Sequence, residues 1–222
     1  TYQYVNQMKT LIEPGVLFLA ALLAAMIMLS YLYNSRSANM FHSLPLRREE
    51  LFFTNYLSGL SFLLIPKLIA TFLGVFVCAA VGITELQYLL IAFLYIAGML
   101  TFFYSFAFVV GMLVGQLWAF PVCYLVLNFI EVIMEAVVRL LATSICFGMG
   151  YNWKLSKLSV LSPVVYLTNN ATIEIDYLAE GTYQYSVSGA KSVLIYFLLS
   201  IPMVILALFI YKKKAIETVG DL

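Results

Sequence analysis

Charge is scarce in this chain. Of its 222 residues 12 are Lys or Arg and 11 are Asp or Glu, so 10% are charged. An ordinary soluble domain carries about 25%, and a water-soluble fold of this size could not cover its surface with so few. A net charge of +1, with no long basic block, gives no reason to expect a nucleic-acid partner. Histidine occurs once, at His42, so a His-Glu-x-x-His zinc motif is absent and no metal site is expected. The three cysteines, Cys78, Cys123 and Cys146, sit inside or at the end of apolar runs, at spacings that fit neither a zinc site nor a disulfide framework. They read as small packing residues. The opening Thr1-Tyr2-Gln3 has no Met, basic n-region or cleavage site, so no signal peptide is expected.

What is abundant is apolar surface: 64% of the residues are hydrophobic. The expected fold is all-α, a polytopic membrane helical bundle forming a single transmembrane domain. A helix needs about 20 apolar residues to cross the hydrocarbon core. Five spans are expected, over residues 15–33, 57–81, 88–112, 120–147 and 192–211. Pro14 and Pro121 suit the first turns of two of them, where a missing N–H costs nothing, and Pro66 is a candidate kink in the second. Gly111 and Gly115 form a Gly-x-x-x-Gly, the usual mark of close helix packing. Many of the 16 Tyr and 17 Phe lie near span ends, where they anchor to the interface.

Orientation follows from Lys and Arg in the connections. Arg36, Arg47, Arg48 and Lys212 to Lys214 fall on one side, which is therefore cytoplasmic. The opposite side holds Lys9, Lys154, Lys157 and Lys191, diluted by acidic residues. Residues 34–50 thus form an inner loop, residues 148–191 an outer loop, and the C-terminus is inside. In the outer loop, Trp153 to Leu161 suggests a short amphipathic helix before Pro163. The alternation over 182–188 suits a small strand or extended lid.

Four charges fall within the spans: Lys67, Glu131, Glu135 and Arg139. Glu131, Glu135 and Arg139 recur every fourth residue and so share one helix face. Charges at such depth are costly unless paired or hydrated, which makes them functional candidates. Two readings stand: a polar wall of a transport path, with Lys67 as partner from another helix, or an internal Glu135–Arg139 salt bridge.

The inner loop reads Arg36-Ser-Ala-Asn-Met40-Phe41-His42-Ser-Leu44-Pro45-Leu-Arg47-Arg48-Glu49-Glu50-Leu-Phe. Pro45 ends one short helix, and Glu49 and Glu50 then lie in the first turns of the next, where carboxylates favour the helix dipole. With its Leu-Pro-Leu-Arg-Arg-Glu-Glu core, this segment resembles the one in permease subunits of ABC-2 type ABC exporters. The tail Tyr211-Lys-Lys-Lys-Ala-Ile-Glu217-Thr-Val-Gly220-Asp221 is also similar to theirs. So is the order of inner loop, two tight turns, long outer loop and basic tail. That family has six spans, so the first is expected to be missing here, with Thr1 to Glu13 belonging to the outer loop that follows it.

The resemblance implies an exporter permease in the plasma membrane, paired with a second permease copy. It also implies a separate ATPase docking on Arg36, Met40, Phe41, His42, Leu44, Pro45, Arg47, Arg48 and Glu49. ATP and Mg would belong to that partner, because this chain has no Walker-type Gly-rich loop and needs no cofactor of its own. An enzyme is not expected. Glu49-Glu50 superficially resembles the acidic pair of CAAX-type intramembrane proteases, but no Arg follows in that helix and His42 is the sole histidine. A secondary transporter, or a membrane sensor or structural subunit without transport, remains the alternative.

Overall fold

The computed structural model describes residues 13–34, 47–80, 86–146, 161–171, 173–177 and 183–213. Helix α1, Pro14–Leu29, begins on its proline and tightens into a 3-10 turn at Ser30–Tyr33. Together these 20 residues rise about 30 Å, the thickness of a hydrocarbon core. Helix α2, Arg48–Ala80, runs unbroken through Pro66 for 33 residues, about 50 Å at 1.5 Å each. Its first turn holds Glu49 and Glu50, and the Glu50 carboxylate accepts the Arg47 N–H at 3.2 Å, closing the helix start. Helix α3 is Gln87–Leu113, and α7, the last helix, is Ala190–Lys213.

Among the described residues these four helices are long and apolar enough to cross a membrane. The expected continuous span over 120–147 is instead two helices, α4 (Ala119–Asn128) and α5 (Ile130–Ile145), meeting at Phe129 with φ −108° and ψ 13°. No Pro or Gly causes the break. The Asn128 amide donates to the Tyr124 carbonyl at 3.0 Å, and such a local side-chain bond competes with the helix ladder. The Phe129 ring also stands edge-on to Phe18 at 6.0 Å, which fixes the bend against α1.

The outer loop contributes α6, Pro163–Asn170, and a hairpin of β1 (Ile173–Tyr177) and β2 (Tyr183–Val187). The strands are antiparallel, with Ile173 opposite Val187 and Tyr177 opposite Tyr183. The alternation over 182–188 is thus a strand, and the fold is a helical bundle with one small hairpin.

The core centres on α3, which packs against α7, α1 and α2. Lipid is as apolar as Leu, so burial alone does not draw such helices together; close packing and interhelical hydrogen bonds do. Aromatic rings supply much of that packing. Phe18 stacks on Tyr124 at 4.6 Å and meets Phe103 edge-on, Tyr56 meets Phe108 at 5.3 Å, and Phe102 meets Tyr196 at 4.8 Å. The Tyr56 hydroxyl and Ser105 Oγ lie 2.7 Å apart across α2 and α3. Gly98 lets α7 approach, since a Cβ there would sit 2.8 Å from Val193 Cγ1. Gly111 lies tight against Leu29 and Phe120, whereas Gly115 has open space around it. Only the first glycine of the Gly-x-x-x-Gly therefore packs a helix.

Candidate functional site

Two polar groupings stand out against this apolar frame, one at the end of the bundle where α2 starts and α7 stops, the other along α5. At the first, Lys212 Nζ meets the Glu49 carboxylate at 2.5 Å, and Arg48 Nη1 donates to the Lys212 carbonyl at 3.4 Å. The Tyr31 hydroxyl donates to that of Tyr211 at 3.5 Å, and the Tyr33 hydroxyl to the Gly111 carbonyl at 2.7 Å. The ends of α1, α3 and α7 thus gather around the start of α2. Of the expected docking residues, Arg47, Arg48 and Glu49 belong to this junction. Arg36, Met40, Phe41, His42, Leu44 and Pro45 lie outside the described residues.

The second grouping is the α5 face. Glu135 accepts a 2.6 Å bond from Arg139 Nη2, with side chains 22% and 25% exposed, so the internal pair expected from the i, i+4 spacing forms. The Thr143 hydroxyl, one turn on, donates to the Arg139 carbonyl. Glu131 does something different: its Oε2 accepts the backbone N–H of Leu161 at 3.1 Å, tying α5 to the chain two residues before α6. Lys67 is half-buried on α2 and makes no ion pair with either glutamate among the described residues. The expected partnership of Lys67 with the α5 carboxylates is therefore not seen in this chain.

The half-buried positions of α5 are Glu131, Glu135, Val138, Arg139, Ala142 and Thr143, a single stripe, while the apolar residues between them are exposed. That arrangement inverts a water-soluble amphipathic helix, whose apolar stripe faces inward. Polar side turned to the protein and apolar side turned out is the pattern a bilayer imposes.

Sequence reasoning missed three contributors. Asn128 and Ser162 are fully buried polar side chains, and Tyr166 joins α6 to α7 through a 3.3 Å bond from Ser192. Asn128 had a signal in its place one turn before Glu131, whereas Ser162 had only its position before Pro163. Above them, the Tyr95 hydroxyl donates to the Ser188 carbonyl at 3.1 Å, fastening β2 to α3. An open groove of about 390 Å³ between α3 and α7 is lined by Leu94, Gly98, Val193 and Phe197 and is almost wholly apolar. Among the described residues no three His, Cys, Asp or Glu side chains gather as a metal site would require.

Long apolar helices with lipid-suited surfaces and an inverted amphipathic helix define the class: this is a membrane-embedded helical protein. No family model, no curated protein and no solved structure matches the chain.

Proposed function

We propose that this chain is the membrane-spanning permease subunit of an ATP-driven exporter of the ABC-2 type, residing in the plasma membrane. A partner ATPase carries ATP and Mg and presses on the inner segment 34–50; two permease copies line the path. The observation that carries the reading is the junction between Arg48, Glu49 and Lys212. Arg48 and Glu49 in the first turn of α2 touch Lys212 at the end of α7, and α7 packs along α3, so a displacement of the start of α2 would be felt directly at α7. A plain connecting loop has no need of such a fixture.

Purification of the tagged chain from its native membrane in mild detergent tests this. An ABC ATPase is expected to co-purify, and Arg47→Ala with Arg48→Ala to release it while the chain still inserts and folds. If the chain purifies alone and moves solute when reconstituted alone, it is a secondary transporter and the proposal is wrong. The acidic stripe on α5 is the feature that favours that second reading.

A further inference from the structure

Near the hairpin, α3 and α7 leave between them the groove of about 390 Å³. Side-chain size explains the gap. Gly98 admits α7 as far as Val193, and these two buried residues make the floor. Ala97 and Ala190 are too short to fill the space above it, while Leu94, Leu194 and Phe197 stand exposed as its rim. Tyr95 is the one polar side chain of the lining, and its hydroxyl is already committed to the Ser188 carbonyl. A polar solute would lose its water there and gain no partner, whereas a hydrocarbon loses nothing.

Two further observations narrow the occupant. The groove reaches up to Ala190, the first residue of α7, and the next residue is Lys191. Its side chain is exposed, and among the described residues no carboxylate pairs with it. It stands in the first turn of α7, where the helix dipole also favours an anion. An apolar slot is thus headed by positive charge at the end of a membrane-length helix, the level of lipid phosphates. The second observation is size. Two turns of helix about 10 Å across take up roughly 850 Å³, so the groove suits a hydrocarbon chain better than a helix of a second copy.

We propose that this groove binds one acyl chain of an anionic phospholipid from the surrounding leaflet, with the lipid phosphate held by Lys191. The chain fills the space between α3 and α7 beside the Tyr95–Ser188 bond, and so braces the hairpin against the bundle. The inference needs membrane embedding alone and no ATPase partner.

The test uses the full chain in dodecyl maltoside, with dioleoyl phosphatidylglycerol as the probe. The unfolding midpoint is expected to rise saturably by several degrees, since a ligand bound only to the native state raises its stability. Dioleoyl phosphatidylcholine, with the same chains and no net charge, is expected to give a smaller rise, and inorganic phosphate none. Ala190→Phe, at an exposed position, fills the groove and is expected to remove most of both lipid increments. Lys191→Gln is expected to keep the phosphatidylcholine increment and lose the preference for phosphatidylglycerol. Lipid bound instead at the basic inner end of the bundle would leave both variants like wild type, and that result overturns the proposal. So do the absence of any rise, an equal rise with inorganic phosphate, and an unsaturable rise equal for the two lipids, the mark of bulk solvation. A wild-type dimer that Ala190→Phe dissociates, with no lipid effect, gives the groove to a second copy and overturns it too. If Ala190→Phe does not fold, native mass spectrometry of wild type and Lys191→Gln decides. One phosphatidylglycerol retained per wild-type chain, and several-fold less by Lys191→Gln, is expected; equal retention sinks the proposal.

Discussion

Helices α3 and α5 are both rich in apolar residues, but α3 carries no charge and α5 carries three, and their fates are opposite. Helix α3 buries 16 of its 27 residues, among them Phe103, Tyr104 and Phe108 at the centre of the core. Helix α5 buries none of its 16. In water, that contrast would mean that α5 is misplaced. In a bilayer it separates two uses of hydrophobicity: α3 meets protein on nearly every side, while α5 offers its apolar side to lipid and keeps its charges turned inward. The lesson is that hydropathy reports membrane location and not packing; small residues, aromatic contacts and polar atoms report packing.

The widest gap between the two helices should appear on truncation. Phe103→Ala in α3 is expected to cost about 3–5 kcal/mol, the range for a fully buried aromatic. Val137→Ala on the exposed side of α5 should stay within about 0.5 kcal/mol. Thermal or denaturant unfolding in detergent measures both, and similar losses would mean that α5 is packed by something in solution.

A smaller effect sharpens what the charged side of α5 does. Arg139→Met leaves Glu135 without its partner and is expected to destabilise by about 2–3 kcal/mol, whereas adding Glu135→Gln should recover most of the loss. If the double variant is no better than the single one, Arg139 matters for a contact beyond this pair. The smallest expected effect lies at the inner junction. Its Glu49–Lys212 pair is solvent-exposed, so Glu49→Gln should change stability little, and less still in high salt. A strong loss of transport with so small a loss of stability would mark the pair as a transmitting contact.

Much of this arrangement is legible in the residues. Runs of about 20 apolar residues mark the long helices, and Pro14 starts α1 where a proline belongs. Glu49 and Glu50 open α2 as their charge suggests, and the spacing of Glu135 and Arg139 foretells their bond. The break at Phe129 is hidden because it comes from one amide and one ring contact rather than from Pro or Gly. Asn128 and Ser162 escaped notice because burial of a lone polar residue leaves no periodic trace. The role of Lys212 was hidden because a basic tail reads first as an orientation signal, and its contact with Glu49 spans most of the chain.

Helix α2 is held near its beginning, by Leu51, Phe52, Tyr56 and Gly59. A methyl group on Gly59 would overlap the Tyr104 hydroxyl and the Met28 side chain, which fill the space a larger residue would take. Beyond that point, only Cys78 is buried. Mechanically, this is a beam clamped at one end. Leu60, Leu63 and Leu64 still lean on the core, and the stretch from Gly59 to Ala80 measures about 32 Å at 1.5 Å per residue. Turning it by about 10° around the clamp carries the tip some 5–6 Å, roughly the pitch of one helical turn.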